Sequence, residues 1–194
     1  MKKKVGLYFG TFNPIHSGHL IIANYMVEFS ELNEVWMVVT PHNPLKKKSS
    51  LLDNHHRIEM VYKACEDYPK LKPSDIEFGL PQPNYTVNTL IQLEEKYPNL
   101  EFSLIMGEDN LKGFHKWKNY EVILERYPIF VYPRISEGLV ENEFLTHGKI
   151  KRVPAPIIEL SSTFIRKAVK DAKNIRPMLP EKVWAYLDKM NFYK

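Results

Sequence analysis

Apolar residues in this chain fall into short solid runs that alternate with stretches in which they recur every three to four positions. Val5–Phe9 (VGLYF) has the length and character of a buried strand, and Leu20–Phe29, introduced by Ser17-Gly18, that of a helix. Glu34–Thr40 (EVWMVVT) predicts a second strand, closed by Pro41. Asp53 is a suitable N-cap for a helix through Glu66, with Ile58, Val61, Tyr62 and Cys65 forming its apolar stripe. Further on, Ser74–Phe78 predicts a short strand, Val87–Lys96 a helix, and Phe102–Met106 and Ile129–Tyr132 two more strands. Arg134–Gly148 is polar and weakly patterned and predicts a surface excursion. Helical character returns from Ser161, and Pro180 opens a last helix to about Met190.

Strands alternating with helices imply an α/β fold, Rossmann-like, with a mainly parallel sheet and helices on both faces. The pattern shows no repeat and no flexible linker, so residues 1–194 are expected to form one domain whose C-terminal part, from about 160, is helical. With 44% hydrophobic residues, a chain of 194 can bury a core without a disulfide or metal staple. The single Cys65 excludes a disulfide within the chain and fits a reducing compartment. No apolar run approaches the ~18 residues a spanning helix needs. Lys2–Lys4 followed by Val5–Phe9 lacks the length and cleavage site of a signal peptide, so a cytoplasmic location is expected. The formal charge is +4, but residues 149–194 hold 11 of the 27 basic residues and 4 of the 23 acidic ones. That imbalance is either a solvated surface or a binding region for an anion.

The strongest chemical signal follows the first strand: Gly10-Thr11-Phe12-Asn13-Pro14-Ile15-His16-Ser17-Gly18-His19, then a helix. Ligands of open α/β sheets sit beyond the carboxyl ends of strands, where helix N-termini present unpaired N–H groups and partial positive charge. Gly10 is expected to let the backbone approach a ligand, Pro14 to fix the turn, and Gly18 to keep the helix start uncluttered. His16 and His19, three apart, can face one side and donate to phosphate oxygens, better so when protonated. The spacing matches neither the Walker A loop nor the G-x-G-x-x-G dinucleotide fingerprint. A second element, Leu160-Ser161-Ser162-Thr163-Phe164-Ile165-Arg166, offers three hydroxyls and a helix N-terminus, with Arg166 one turn on. Alone, Ser161 and Ser162 would only cap a helix; beside the first loop they read as a phosphate site.

Gly10–His19 resembles the G-T-F-[DN]-P-x-H-x-G-H signature of the HxGH nucleotidyltransferase superfamily, and Leu160–Arg166 its I-S-S-T-x-I-R element. Met106-Gly107-Glu108-Asp109-Asn110-Leu111 is similar to its G-x-D-x-L element. Tyr85-Thr86-Val87-Asn88-Thr89-Leu90 and Phe114-His115-Lys116-Trp117-Lys118 resemble patterns of the bacterial nicotinate mononucleotide adenylyltransferases, and His56–Met60 is similar to their H-R-x-x-M. The resemblance implies a nucleotidyltransferase fold and transfer of AMP from ATP to nicotinate mononucleotide, giving deamido-NAD and pyrophosphate. It implies that His16, His19 and Arg166 are catalytic. ATP would be bound by Gly10, Thr11, Phe12, Lys46, Gly107, Asp109, Ser161, Ser162 and Thr163, with Asp109 on the ribose. The acceptor would be bound by Asn13, Tyr85, Thr86, Trp117 and Lys118: Trp117 stacks on the pyridine ring, while Thr86 and the Lys118 N–H hold the carboxylate.

The same resemblance implies Mg2+ with ATP, carried by phosphates and water more than by protein. No zinc-type spacing occurs, and the adjacent His55 and His56 do not share a helix face. Arg57 and Met60 are assigned to scaffold. The partners implied are the two small-molecule substrates, without nucleic acid or membrane; a homo-oligomer is compatible with the sequence. The chain departs from the patterns at Phe9 (usually Gly), Asn13 (often Asp), Asn88 (usually Asp) and Pro41–Lys46 (usually P-P-H-K), which leaves open whether Lys46, Lys47 or Lys48 meets phosphate. Alternative acceptors are nicotinamide mononucleotide and phosphopantetheine. A non-catalytic nucleotide- or nucleic-acid-binding protein is the more distant alternative, since the basic stretches lack interleaved aromatic residues.

Overall fold

The computed structural model describes residues 2–41, 51–134 and 143–194. Six strands form one all-parallel sheet: β1 (Lys3–Gly10), β2 (Glu34–Val39), β3 (Leu71–Ser74), β4 (Leu100–Gly107), β5 (Ile129–Tyr132) and β6 (Ile150–Arg152), in the spatial order β3-β2-β1-β4-β5-β6. Seven α-helices accompany them among the described residues: α1 (Ser17–Glu28), α2 (Asn54–Cys65), α3 (Thr86–Lys96), α4 (Glu108–Lys112), α5 (Tyr120–Arg126), α6 (Ser162–Lys170) and α7 (Glu181–Lys189). The chain moves outward from β1 to β3, then returns to the other side of β1 with β4. This switch opens a crevice above the carboxyl ends of β1 and β4, and Gly10 and Gly107 end those two strands.

Alternation along the strands sends side chains to two separate cores. On one face Tyr8 packs with Met26 of α1, Met60 and Val61 of α2, Ile165 of α6, and Val183 and Leu187 of α7. On the other, Val5, Leu7 and Leu104 pack with Leu90 and Leu93 of α3, Phe114, and Ile123 of α5. Each fully buried aliphatic side chain contributes roughly 1.5–3 kcal/mol, so both faces are strongly specified. Cys65 is buried in the first core, and burial pushes its thiol up to about 12, which leaves it inert.

The structure corrects several expectations. The strand expected at Ser74–Phe78 lies earlier, at Leu71–Ser74, and residues Ile76–Gly79 form a 3-10 turn. Strand β3 is an edge strand paired only with β2, where Pro73 is tolerated. Tyr62, expected in the apolar stripe of α2, is 51% exposed. The buried stripe is Arg57, Met60, Val61, Ala64 and Cys65, because Arg57 takes an interior position to bind carbonyl groups. Of the surface excursion expected at Arg134–Gly148, residues 135–142 lie outside the described residues; on either side of them Arg134 lines the main cavity and Phe144 packs against Phe114 and Tyr120. Strand β6 and helices α4 and α5 had no counterpart in the sequence reading; they are three to seven residues long, too short for a periodic signal.

Candidate active site

A cavity of about 370 Å³ occupies the crevice above β1 and β4. Of the residues singled out from sequence, Gly10, Thr11, Phe12, Asn13, His16, His19, Asp109, Trp117, Ser161, Ser162, Thr163 and Arg166 line it. Gly107, Tyr85, Thr86 and Lys118 do not. Lys46, with Lys47, Lys48 and His42, lies outside the described residues.

The first loop is fixed from behind. Phe12 adopts a positive φ of 44° and is 1% exposed. Its ring lies so close to Gly10 that a Cβ there would sit 2.9 Å from two ring carbons. Gly10 is therefore needed to admit Phe12, a different reason from the close ligand approach expected. Arg57, fully buried, donates to the carbonyls of Thr11 at 2.6 Å, Thr40 at 2.8 Å, Pro41 at 2.9 Å and Leu52 at 3.0 Å, and to Asn54 Oδ1. One guanidinium thus ties the first loop, the end of β2 and the start of α2 together, a use for which its planar fork of donors is suited.

The two imidazoles stack with centroids 3.7 Å apart and planes 27° from parallel. The His16 backbone N–H donates to His19 Nδ1 at 3.2 Å, which places the proton of neutral His19 on Nε2. His16 is 4% exposed, and burial, aided by the Arg134 charge, lowers its pKa to about 4. It is therefore neutral at pH 7, so the stronger, protonated form of this donor is not the one the fold holds. The negative charge of an arriving polyphosphate would oppose the effect of Arg134 on this group.

Helix α6 closes the opposite wall. Ser161 caps it, its hydroxyl oxygen accepting from the Phe164 N–H at 3.2 Å. Ser162 donates to the Pro14 carbonyl at 2.8 Å, and Arg166 donates to the Asn13 carbonyl at 2.8 Å and to Thr163 Oγ1 at 3.3 Å. The Ser162 hydroxyl and the Arg166 guanidinium, expected on phosphate oxygens, thus hold the first loop. Asn13 Oδ1, read from sequence as an acceptor contact, receives the Tyr193 hydroxyl at 2.7 Å and the Leu52 N–H at 3.2 Å.

Arg134 was missed. It donates to the Ile158 carbonyl at 3.1 Å, lies 3.7 Å from Asp109 Oδ1 and stacks over Tyr132, 5.6 Å from the ring centroid. The signal that could have found it is position: it follows β5 by two residues, at the carboxyl edge of the sheet where ligands bind. Gly107 leaves room beside it, since a Cβ would collide with Asp109 Oδ1 and crowd Arg134 and Tyr132. Beneath lies a buried hydroxyl pair, Tyr8 and Tyr132, 3.1 Å apart, which burial keeps protonated.

The remaining wall is aromatic. Trp117 meets Phe114 edge to face at 5.5 Å, and Phe114 and Tyr120 both pack on Phe144. Lys118 Nζ lies 4.4 Å over the Tyr85 ring, so the segments 85–86 and 117–118 adjoin. Glu77 supports the first of these segments from both sides: its Oε1 accepts from the Thr89 hydroxyl at 2.8 Å, and its backbone carbonyl accepts from Asn84 Nδ2 at 3.0 Å. Burial raises the Glu77 pKa. Nothing in the sequence distinguished this carboxylate from a solvated one.

Residues 7–168 match the family model described as cytidylyltransferase-like. A protein of Christiangramia forsetii named "probable nicotinate-nucleotide adenylyltransferase" is 72% identical over 194 residues, all of both chains. One of the same name from Flavobacterium johnsoniae is 68% identical over 191 residues, 98% of this chain and 99% of that one. Among solved structures, Plasmodium falciparum nicotinic acid mononucleotide adenylyltransferase complexed with NaAD superposes with a TM-score of 0.81 at 21% identity, covering 98% of this chain and 97% of that chain. Its complex with APC gives 0.80 at 20% identity over the same shares. The chain belongs to the cytidylyltransferase-like family and, within it, to the nicotinate-nucleotide adenylyltransferases.

Proposed function

We propose that this protein, as a single nucleotidyltransferase domain, transfers AMP from ATP to nicotinate mononucleotide, forming deamido-NAD and releasing pyrophosphate. One observation carries the reading: the His16–His19 pair, the start of α6 with Arg166, and Trp117 all line one cavity at the β1/β4 crevice. The cavity offers donors for a polyphosphate on two walls and an aromatic plane on a third.

In this mechanism an oxygen of the acceptor phosphate attacks the α-phosphorus of ATP in line, and the bond to the bridging oxygen of the β-phosphate breaks. Charge develops on the α-phosphoryl oxygens and the leaving pyrophosphate. His19, with its proton on Nε2, and His16 donate to those oxygens, and Arg166 and Arg134 supply fixed positive charge. No covalent intermediate is required. Asp109 accepts hydroxyls of the ATP ribose, an exchange for its ion pair with Arg134. Mg2+ enters with ATP as part of the substrate, held by phosphate oxygens and water. Among the described residues there is no group of three His, Cys, Asp or Glu side chains arranged to hold a metal.

Trp117 stacks on the pyridine ring. Thr86 and the Lys118 N–H, which adjoin Trp117 and Tyr85 at the cavity's edge rather than line it, hold the ring's carboxylate. A carboxamide would turn an NH2 toward these donors, a mismatch that costs about 1–3 kcal/mol. The test is pyrophosphate release from ATP and Mg2+ with nicotinate mononucleotide, nicotinamide mononucleotide or phosphopantetheine. Release only, or far faster, with the first is expected. Silence with all three would overturn the reading, and equal rates with the two pyridine nucleotides would overturn the carboxylate argument.

A further inference from the structure

Beyond α7 the chain turns back on the first loop. Asn191 and Tyr193 both adopt positive φ, 53° and 66°, and Phe192 packs against His56 of α2, with ring centroids 4.7 Å apart. His56 Nδ1 in turn lies 2.8 Å from the Tyr186 hydroxyl. This turn delivers the Tyr193 hydroxyl to Asn13 Oδ1 at 2.7 Å, a contact spanning 180 positions of sequence.

Asn13 is 1% exposed and lies between Phe12 and the His16–His19 pair. Three remote elements converge on it. Its carbonyl accepts from Arg166 on α6, and its side-chain oxygen accepts from Leu52, ahead of α2, and from Tyr193. Tyr193 itself does not line the cavity.

We propose that Tyr193 is a positioning residue for adenylyl transfer, holding Asn13 and through it the loop that carries His16 and His19. The inference rests on the proposed function only in assigning catalysis to that loop; the acceptor's identity is immaterial to it. Replacing Tyr193 by Phe keeps the ring packing and leaves Asn13 Oδ1 with the Leu52 N–H, so no buried acceptor is orphaned and the fold should stand. What is lost is one restraint on a loop where displacements below 1 Å matter to the reaction.

The experiment is a double-mutant cycle on kcat for pyrophosphate release, with thermal unfolding followed alongside. Tyr193→Phe is expected to lower kcat by about tenfold while both KM values stay within about twofold. In an Asn13→Ala background the same change is expected to have no further effect, whereas Asn13→Asp, which keeps the oxygen, is expected to preserve the sensitivity to Tyr193→Phe. Amide NMR gives a readout independent of turnover: Tyr193→Phe should shift the Thr11, His16 and His19 N–H signals more than those of β5. Unchanged kcat, an undiminished loss in the Asn13→Ala background, a loss explained by unfolding, or unmoved loop amides would each overturn the proposal. Should the parent protein turn over none of the acceptors, the proposed function fails while the amide shifts still decide the role of Tyr193.

Discussion

The two faces of the sheet build their halves of the cavity by different means. On the α1/α6 side the first loop is held by charged and polar groups: Arg57 from below, Arg166 and Ser162 from α6, and Tyr193 from beyond α7. On the α3 side Trp117 is held by ring packing among Phe114, Tyr120 and Phe144, with one buried carboxyl, Glu77, bracing the neighbouring turn. Hydrogen bonds fix atoms to fractions of an ångström, which suits the phosphate-directed roles proposed for His16, His19 and Arg166. Aromatic packing fixes a plane and tolerates small slides, which suits the ring-stacking role proposed for Trp117. Loss on the first side should therefore appear in kcat or in folding, and loss on the second in the acceptor's KM.

The largest effect should come from Arg57→Met. It leaves several buried carbonyl oxygens without a donor, so urea unfolding should report at least ~3 kcal/mol lost. A loss under 1 kcal/mol would mean that the polar side is not held as described. His19→Ala should lower kcat by ~10²-fold or more without comparable loss of stability; near-normal turnover would return His19 to a structural role.

Acid should act on the same side. The pKa of His16 is about 4 in the fold against 6.5 for the unperturbed group, so the unfolded chain binds the extra proton between those values. The stability contributed is present above pH 6.5 and is lost as pH falls toward 4, on the order of 3 kcal/mol. His16→Gln should flatten that part of the stability–pH curve relative to the parent, and parallel curves would refute burial as the cause.

On the aromatic side, Trp117→Ala should raise the acceptor's KM about tenfold and leave that for ATP unchanged. A fall in kcat alone would erase the division of labour between the faces. The smallest effect belongs away from the cavity. Glu31 pairs with Lys151 and Lys4, which pull its carboxyl down to about 2. Its stabilisation is present above about pH 4.5 and is lost toward pH 2. Because the pair is exposed, Glu31→Gln should cost no more than ~1 kcal/mol at neutral pH, with a difference that shrinks at high salt.

What could be read in advance followed from locality. Residues 10–19 and 160–166 carry their chemistry within one turn and one helix start, so residue type and spacing sufficed to place them at a site. Arg134, Glu77 and Tyr193 could not be found that way. Each is an ordinary polar residue in a segment without periodicity, and each acquires its role through partners on other elements: Thr89 for Glu77, Asp109 and Ile158 for Arg134, and Asn13, 180 positions away, for Tyr193. Gly10 is an intermediate case: the need for glycine was legible, but a further reason for it, the Phe12 ring, lies in the folded loop. The charge excess of residues 149–194 pointed toward α6, yet Arg166 is the basic residue of that stretch lining the cavity, among the described residues.

By itself the sequence determined the alternation of strands and helices and the two motif-bearing turns, because these depend on period and on short-range spacing; the family of chemistry followed from the resemblance of those motifs to a known superfamily. The tertiary structure decided which groups support the reactive ones, the protonation of His16 and the attachment of the first loop to α2, α6 and the segment beyond α7. Those depend on burial and on contacts between residues 40 to 180 positions apart, and such contacts exist only once the sheet has closed around its switch point.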